Sequence, residues 1–295
     1  MNQLKQELTA VNENHGWYDA SEWQHFRLSG KDTSNFLHRL LTCHIQAQNP
    51  GTGTHSAMLD RKGKVQTLFY LIKLADNMVQ ALAPKLAANA AIEMLQKYIL
   101  SEDVEIQNVS AAYQLFSIFG PQSRTLLADF AHSEIEHQIS KQADGSLIWR
   151  DDLYQVPTWH IMATRLMSEK YRQIFATNSY KLSAEALKIL RLKANIPEFG
   201  IDIGPANILL EGNTAHTFAR QKGCYPGQEV IERLLSYAEG NTPKIIASFM
   251  LEGEQTIEEN TSVSSFAYDP TTNKTLLMAT IKRKDLAPQN WQLIS

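Results

Sequence analysis

The sequence predicts an α+β fold in which ferredoxin-like α+β units are followed by a small C-terminal β-barrel. The order of strand, helix, strands and helix over residues 23–109 is typical of a ferredoxin-like unit with an antiparallel sheet. The peptide EGNTP at residues 239–243 breaks the chain, and the short apolar strands after it suit a small closed barrel. The length of 295 residues suggests about two domains with separate cores. Element order further divides the chain into the segments 1–113, 114–240 and 241–295.

The first segment, 1–113, carries alternating strand and helix patterns. Its predicted helix at 32–44 begins at a cap, Asp32 or Thr33, and places Phe36 and Leu37 on the core side. A good turn, DRKG at 60–63, joins two of its strands. The other predicted elements are strands at 23–28, 56–59, 64–73, 79–83 and 104–109 and a helix at 85–98.

The second and third segments continue the mixed pattern and then become purely β. Segment 114–240 is predicted to hold helices at 122–131, 167–177 and 184–194 and strands at 146–150 and 158–163. Segment 241–295 is predicted to form the barrel from strands at 245–251, 262–267 and 275–282.

The stretch QKGCYPGQEVIE at 221–232 concentrates the residues that favour chemistry. Its YPGQ peptide fits a type II turn, because Pro226 presets φ at the second position and Gly227 tolerates the positive φ of the third. Apolar residues then recur at helical spacing from Val230 to Leu235. We therefore expect Cys224 to lie in a rigid loop just before a helix.

A cysteine in this position has two reasons to ionise. The free N–H groups of a helix start and the ammonium of Lys222 both favour the thiolate of Cys224. The alternative is that Cys224 is a small apolar residue that only closes the loop. The second cysteine, Cys43, continues the predicted helix at 32–44 and is expected to be packed rather than reactive.

Composition restricts the class of protein. No apolar run approaches the roughly 20 residues of a membrane helix. The N-terminal sequence has neither a secretory signal nor an arginine-rich presequence, and two distant cysteines do not make a disulfide scaffold, so we expect a cytoplasmic protein. The net charge of -3 predicts no strong nucleic-acid binding. His38, His44 and His55 lack further ligands at metal-site spacing, and two cysteines cannot hold an iron–sulfur cluster alone.

KGCYPGQE at 222–229 resembles the KGCYxGQE signature of the YgfZ family of folate-binding proteins. That family is related to the aminomethyltransferase, or T-protein, of the glycine cleavage system, so the resemblance implies a T-protein-like fold. Weaker similarities follow in the family's order at 28–42, 58–65, 95–110, 119–123 and 190–203.

The resemblance implies a protein that binds tetrahydrofolate or another reduced folate. It also implies support for iron–sulfur cluster assembly or repair, and thereby for cluster-dependent tRNA modification, with iron–sulfur enzymes or cluster carriers as partners. Cys224 is then the working thiol.

The folate chemistry assigns roles to residues of the signature. Gln228 or Glu229 could take the pterin edge and Tyr225 could line the ring. Arg233 or Lys222 could meet the glutamate carboxylates. Glu229 and Arg233 equally suit a simple ion pair on an exposed helix face.

Two other functions remain open. One is a folate-dependent aminomethyltransferase, but Gln66 and Thr67 stand where relatives of the T-protein carry acids, so the catalytic constellation is incomplete. The other is a noncatalytic folate-binding scaffold in which Cys224 only shapes its loop.

Overall fold

The structure is a computed structural model that describes residues 2–257, 262–285 and 290–294. Within these ranges the helices are α1 Asn2–Glu13, α2 Thr33–Leu40, α3 Lys85–Lys97, α4 Ser168–Asn178, α5 Ala184–Lys193 and α6 Gln228–Tyr237. The strands are β1 Gly16–Asp19, β2 Trp23–Ser29, β3 Thr52–Leu59, β4 Val65–Ala75, β5 Met78–Pro84, β6 Glu105–Asn108, β7 Tyr113–Phe119, β8 Ser140–Lys141, β9 Leu147–Arg150, β10 Thr158–Thr164, β11 Tyr180–Lys181, β12 Lys244–Glu252, β13 Val263–Asp269, β14 Lys274–Lys282 and β15 Gln292–Leu293. The predicted mixture of helices and sheets is confirmed. None of the helices in these ranges has both the length and the apolar character needed to cross a membrane.

The backbone divides into two compact units that interleave along the chain. The first unit contains the residues up to Ser21, Ala112–Pro197 and the described residues from Lys244 onward. The second unit contains Glu22–Ala111 and Glu198–Pro243. The predicted division into separate domains at 1–113, 114–240 and 241–295 stays a prediction.

The second unit is built on an antiparallel sheet with the strand order β3-β4-β5-β2-β6. Each pairing in it is antiparallel, as the sequence predicts. Helices α2 and α3 bury their apolar residues with those of the strands in one core, which includes Phe36, Leu37, Ile92 and Phe69. The strands at 23–28, 64–73 and 79–83 and the helix at 85–98 are each confirmed to within about two residues at either end.

Segment 198–243 of the second unit packs against the β3–β4 hairpin. Val65 N–H donates to the Asn207 carbonyl at 3.0 Å, and Leu209 N–H donates to the Gly63 carbonyl at 3.1 Å. The buried Thr42 hydroxyl donates to the Thr217 carbonyl at 2.5 Å. These bonds bring a late segment of the chain onto an early hairpin.

The described residues of the first unit form two sheets. One has the strand order β11-β1-β7-β10-β9-β8, and its core includes Trp17, Phe116, Trp159 and Phe175. The other is C-terminal and antiparallel, and where the chain is described its strand order is β13-β14-β12-β15. The predicted C-terminal strands are therefore present, and their closure into a barrel stays a prediction.

Two predicted helices differ from the structure. The helix predicted at 32–44 ends at Leu40, because Leu41 is extended and bridges to Met58 of β3. Cys43 therefore follows α2 rather than continuing it. The helix predicted at 122–131 is reduced to a 3₁₀ turn at Ser123–Leu127, closed by bonds such as Thr125 N–H to the Gln122 carbonyl at 3.0 Å.

Candidate functional site

The loop before α6 contains the turn that the sequence predicts. Gln228 N–H donates to the Tyr225 carbonyl at 3.2 Å across the turn, and Gly227 has φ +81 and ψ −3. These are the values of the third residue of a type II turn, so the prediction is confirmed. Helix α6 begins directly after it, at Gln228.

Gly227 lets this turn lie directly against the β3–β4 hairpin. A Cβ built on Gly227 would lie 2.5 Å from the Asp60 carbonyl oxygen and 2.8 Å from Gly63 Cα. Real Cβ atoms do not approach backbone this closely, and positive φ already disfavours other residues. The glycine is therefore required twice, by the turn and by the hairpin contact.

The hairpin is itself held by the Asp60 carboxylate. Asp60 Oδ1 accepts from Lys62 N–H at 2.8 Å and from Lys64 N–H at 2.9 Å. Asp60 N–H also donates to the Lys64 carbonyl at 2.9 Å. One oxygen of this carboxylate is thus committed to the turn. Downstream, Gln66 Nε2 donates to the Lys64 carbonyl and Thr67 is fully buried.

Lys222 points inward. Its side chain is buried, with the residue only 4% exposed, and its ammonium donates to the main-chain carbonyl of His38 in α2. The same Nζ lies 4.9 Å from the centre of the Tyr225 ring. Burial lowers the pKa of Lys222 from its ordinary 10.5 to about 8, while the thiols of Cys43 and Cys224 push it upward. No carboxylate of the described residues forms an ion pair with this amine.

The two cysteines lie in opposite environments. Cys224 is exposed, whereas Cys43 is buried with 3% of its surface exposed. Burial raises the pKa of the Cys43 thiol, and a hydrogen bond with the Ser56 hydroxyl only partly offsets this. The prediction that Cys43 is packed is confirmed.

Tyr225 is buried on the inner side of the same loop. Its hydroxyl has no hydrogen-bond partner among the residues that the structure describes. Burial, and secondly the charge of Glu232, raise the pKa of Tyr225 to about 12. The phenol is therefore a protonated and unused donor at neutral pH.

The remaining signature residues lie on α6. Gln228 is half-buried, whereas Glu229 and Arg233 are exposed. Within the described ranges no ion pair joins Glu229 to Arg233, so the simple helical pair that the sequence left open is not formed. Both side chains remain accessible to a ligand.

One residue beside the loop was missed as a partner of the signature. The main-chain carbonyl of His38 in α2 accepts a hydrogen bond from the Lys222 ammonium, and burial, followed by the charge of Lys222, lowers the pKa of the His38 imidazole. The sequence presented His38 only as a possible metal ligand. No local signal could have shown this contact, because the two residues are 184 positions apart.

The histidines form two ring pairs in the second unit. The rings of His38 and His44 have centres 4.7 Å apart, and those of His55 and His216 are 4.9 Å apart. The described residues contain no group of three or more His, Cys, Asp or Glu side chains that could hold a metal ion.

The chain is similar in sequence to known proteins. Residues 1–144 match the family model of the GCVT N-terminal domain. A putative chloroplastic transferase of Arabidopsis thaliana is 23% identical over 233 residues, 74% of this chain and 52% of that protein. The chain thus matches about half the length of this plant relative. An aminomethyltransferase of Staphylococcus epidermidis is 22% identical over 302 aligned residues, 95% of this chain and 82% of that protein.

A solved structure has the same architecture. The glycine cleavage system aminomethyltransferase T from Bartonella henselae superposes with a TM-score of 0.83 at 16% identity, over 97% of this chain and 83% of that chain. The expected T-protein-like fold is confirmed. The family match over residues 1–144 and the two relatives show that the chain is similar to GCVT-like proteins, and the narrower YgfZ assignment stays a prediction.

Proposed function

We propose that the protein binds a reduced folate beside α6 and uses the Cys224 thiol to support iron–sulfur cluster assembly or repair. Cluster-dependent tRNA modification then depends on it, and iron–sulfur enzymes or cluster carriers in the cytoplasm are its partners. The observation that carries the proposal is an exposed thiol in a rigid loop next to a buried amine. Aminomethyltransferases among the relatives add support for a folate ligand.

The unpaired polar groups around the loop fit a folate ring. A pterin is flat and has donors and acceptors along its edge, which suits a few fixed polar groups. The amide of Gln228 and the carboxylate of Glu229 have no ion pair or hydrogen bond from their side chains within the described residues. The buried Tyr225 hydroxyl is an unused donor beside them. We assign the ring to these three side chains.

Arg233 is the better candidate for the glutamate tail. Its guanidinium is exposed on α6 and can bind a carboxylate with two parallel hydrogen bonds. Lys222, the other candidate, already donates to the His38 carbonyl in the interior. We therefore assign tail binding to Arg233 and a loop-holding role to Lys222.

Cys224 suits the iron–sulfur part of the proposal through its accessibility. Iron–sulfur clusters are bound through thiolates, and an exposed thiol beside a cation is the reactive kind. One thiol of this chain could bind a cluster only together with ligands from a partner. Clusters are thus substrates or cargo here.

Two measurements test the proposal. Equilibrium binding of tetrahydrofolate to the purified protein should give a micromolar-range affinity and raise the thermal midpoint, because a ligand selective for the native state stabilises it. Arg233→Met should weaken binding, whereas Arg61→Met, at an exposed hairpin position, serves as the matched control. Absence of any shift at saturating tetrahydrofolate would refute folate binding.

Genetic complementation tests the thiol. Cys224→Ala should fold and bind folate yet fail to restore cluster-enzyme activity in a strain that lacks the endogenous protein. Cys43→Ala, at the buried cysteine, controls for general loss of a thiol. Restoration by Cys224→Ala at the wild-type level would favour the noncatalytic folate-binding scaffold instead.

Folate-dependent aminomethyl transfer is the second candidate function, favoured by the aminomethyltransferases among the similar proteins. That transfer needs a carboxylate to steer a proton and stabilise developing positive charge beside the folate nitrogen. Gln66 and Thr67 carry no charge, and Asp60 has one oxygen committed to the hairpin.

We therefore expect no methylenetetrahydrofolate above background when the protein receives tetrahydrofolate and an aminomethylated lipoyl carrier. Asp60→Asn separates the two functions. Turnover by the wild type that disappears in Asp60→Asn would move the protein into the transferase class.

A further inference from the structure

The Cys224 loop, residues 221–227, packs against the hairpin turn that begins at Asp60. A Cβ built on Gly227 would lie 2.5 Å from the Asp60 carbonyl oxygen and 2.9 Å from the Gly63 nitrogen. The two backbones thus meet with no side chain between them. A small shift of the turn is therefore passed on to the loop, because close-packed backbone contains no flexible group that could absorb it.

The same turn contacts the helix that follows the loop. A Cβ built on Gly63 would lie 3.2 Å from Val230 Cβ and 3.5 Å from Ile231 Cδ1 of α6. Val230 N–H and Ile231 N–H donate to the Gly227 carbonyl at 3.2 Å and 3.3 Å. The position of the turn therefore sets both the end of the loop and the start of α6.

The Asp60 side chain fixes the shape of this turn. Its Oδ1 accepts from Lys62 N–H at 2.8 Å and from Lys64 N–H at 2.9 Å. Gly63 N–H donates to the Asp60 carbonyl at 3.0 Å. One carboxylate oxygen thus holds the amides on either side of Gly63, which is the residue that Gly227 contacts.

The turn uses the position of this oxygen rather than the charge of the carboxylate. The other oxygen, Oδ2, accepts no hydrogen bond from the residues that the structure describes. An asparagine amide has an acceptor oxygen at the same distance from the backbone, whereas the carboxylate of a glutamate lies one carbon farther away. Geometry and charge at Asp60 can therefore be separated by substitution.

We propose that Asp60 is a positioning residue for Cys224. Its Oδ1 shapes the hairpin turn, the turn contacts Gly227, and Gly227 ends the loop that carries the exposed thiol. The inference rests on the proposed role of the Cys224 thiol. It deepens that role by adding a side chain of the β3–β4 hairpin that lies outside the KGCYPGQE signature.

Two conservative substitutions test the geometry. Asp60→Asn keeps an acceptor oxygen at the place of Oδ1 and removes the charge, whereas Asp60→Glu keeps the charge and displaces the oxygen. Asp144→Glu is the matched control, because Asp144 Oδ1 accepts from Ser146 N–H at 2.7 Å in the hairpin turn between β8 and β9.

The readout is the electron paramagnetic resonance spectrum of a nitroxide attached to Cys224 in the full chain, without folate. Cys43 is buried, so the exposed thiol is labelled selectively. The motion of the nitroxide on the nanosecond timescale reports how firmly the loop is held in the folded protein. A modest loss of overall stability does not change this spectrum, because nearly all molecules remain folded.

We expect the rotational correlation time of the nitroxide to fall about twofold or more in Asp60→Glu. Asp60→Asn and Asp144→Glu should keep the wild-type spectrum. Asp60→Ala, which has no side-chain acceptor, should match Asp60→Glu.

The outcomes separate this inference from folate binding. Identical spectra for the wild type and Asp60→Glu, or equal changes in Asp60→Asn and Asp60→Glu, would overturn the positioning role. Failure of tetrahydrofolate to bind the wild type would refute the proposed ligand but would leave the comparison of the spectra decisive for Asp60.

Discussion

Replacing the buried amine of Lys222 should change how stability depends on pH. Lys222→Met keeps an unbranched side chain of similar length and removes the charge. The amine is buried without a carboxylate partner in the described residues, and its pKa in the folded protein is about 8 against the ordinary 10.5. This difference corresponds to at most about 3 kcal/mol between its two protonation states.

The direction of the pH dependence follows from the number of protons that the folded and unfolded states bind. Below pH 8 the amine is charged in both states, and the folded protein carries the full cost of burying the charge. Between pH 8 and 10.5 the folded amine is neutral while the unfolded amine stays protonated. The unfolded state then binds more protons, so the free energy of unfolding rises with pH in this window. Lys222→Met lacks this rise.

Urea unfolding followed by circular dichroism from pH 7 to 10.5 measures the effect. The wild-type free energy of unfolding, minus that of Lys222→Met, should increase by up to about 3 kcal/mol across this window. Tyr225 and Cys43 titrate in both proteins, so their contributions largely cancel in the difference. The lost bond to the His38 carbonyl adds a nearly constant offset, so the slope is the test.

Lys62→Met, at an exposed lysine of the hairpin, is the matched control and should show a flat difference. Parallel stability curves for the wild type and Lys222→Met would refute the buried-charge argument.

Three further predictions concern the loop, the thiols and the C-terminal sheet. Gly227→Ala should cost roughly 3 kcal/mol or more in urea unfolding, because it adds a Cβ at positive φ against the Asp60 carbonyl. Iodoacetamide at neutral pH should label Cys224 about tenfold faster or more than Cys43, whose thiol is buried with a raised pKa. Asp269→Asn should cost roughly 3 kcal/mol, because it removes a fully buried carboxylate from its 2.6 Å ion pair on β13.

Each of these has a control and a contrary outcome. Gly204→Ala adds a Cβ into open space and should be nearly neutral, so equal costs for the two glycine variants would contradict the clash. Equal labelling of the two cysteines would remove the reactive-thiol argument. Asp129→Asn, at an exposed site, should leave stability unchanged.

The Asp269 carboxyl also gives a pH dependence. Burial pushes its pKa up, but hydrogen bonds from Lys193 and Thr271 outweigh burial and hold the pKa below the usual 3.8. The carboxyl therefore contributes stability at neutral pH that is lost as the pH falls through its folded-state pKa. As the pH falls, the free energy of unfolding should decrease less in Asp269→Asn than in the wild type. An equal decrease in both proteins would contradict this.

Local sequence was sufficient for elements that depend on a few neighbouring residues. The turn at 225–228 followed from Pro226 and Gly227, whose own backbone preferences define a type II turn. Leu8 and Val11 of α1 are almost fully buried. Their helical spacing with Leu4 indicates this helix, although the sequence analysis predicted no helix there.

The sequence could not fix where elements end against their neighbours. The helical pattern of residues 32–44 continues past Leu40, but the pairing of Leu41 with Met58 gave that segment hydrogen bonds outside the helix. A tertiary contact thus overrode a local preference.

The sequence by itself determined the chemistry of the candidate site: a thiol, an amine and a rigid turn within eight residues. Only the tertiary structure decided how these groups are used. It directs the Lys222 side chain inward to a carbonyl 184 positions away, places the His38 imidazole beside Gly223, and packs Gly227 against the hairpin turn that begins at Asp60. The reason is physical, because hydrogen bonds and close backbone contacts between distant segments form only once the sheet and helices of the second unit have brought those segments together.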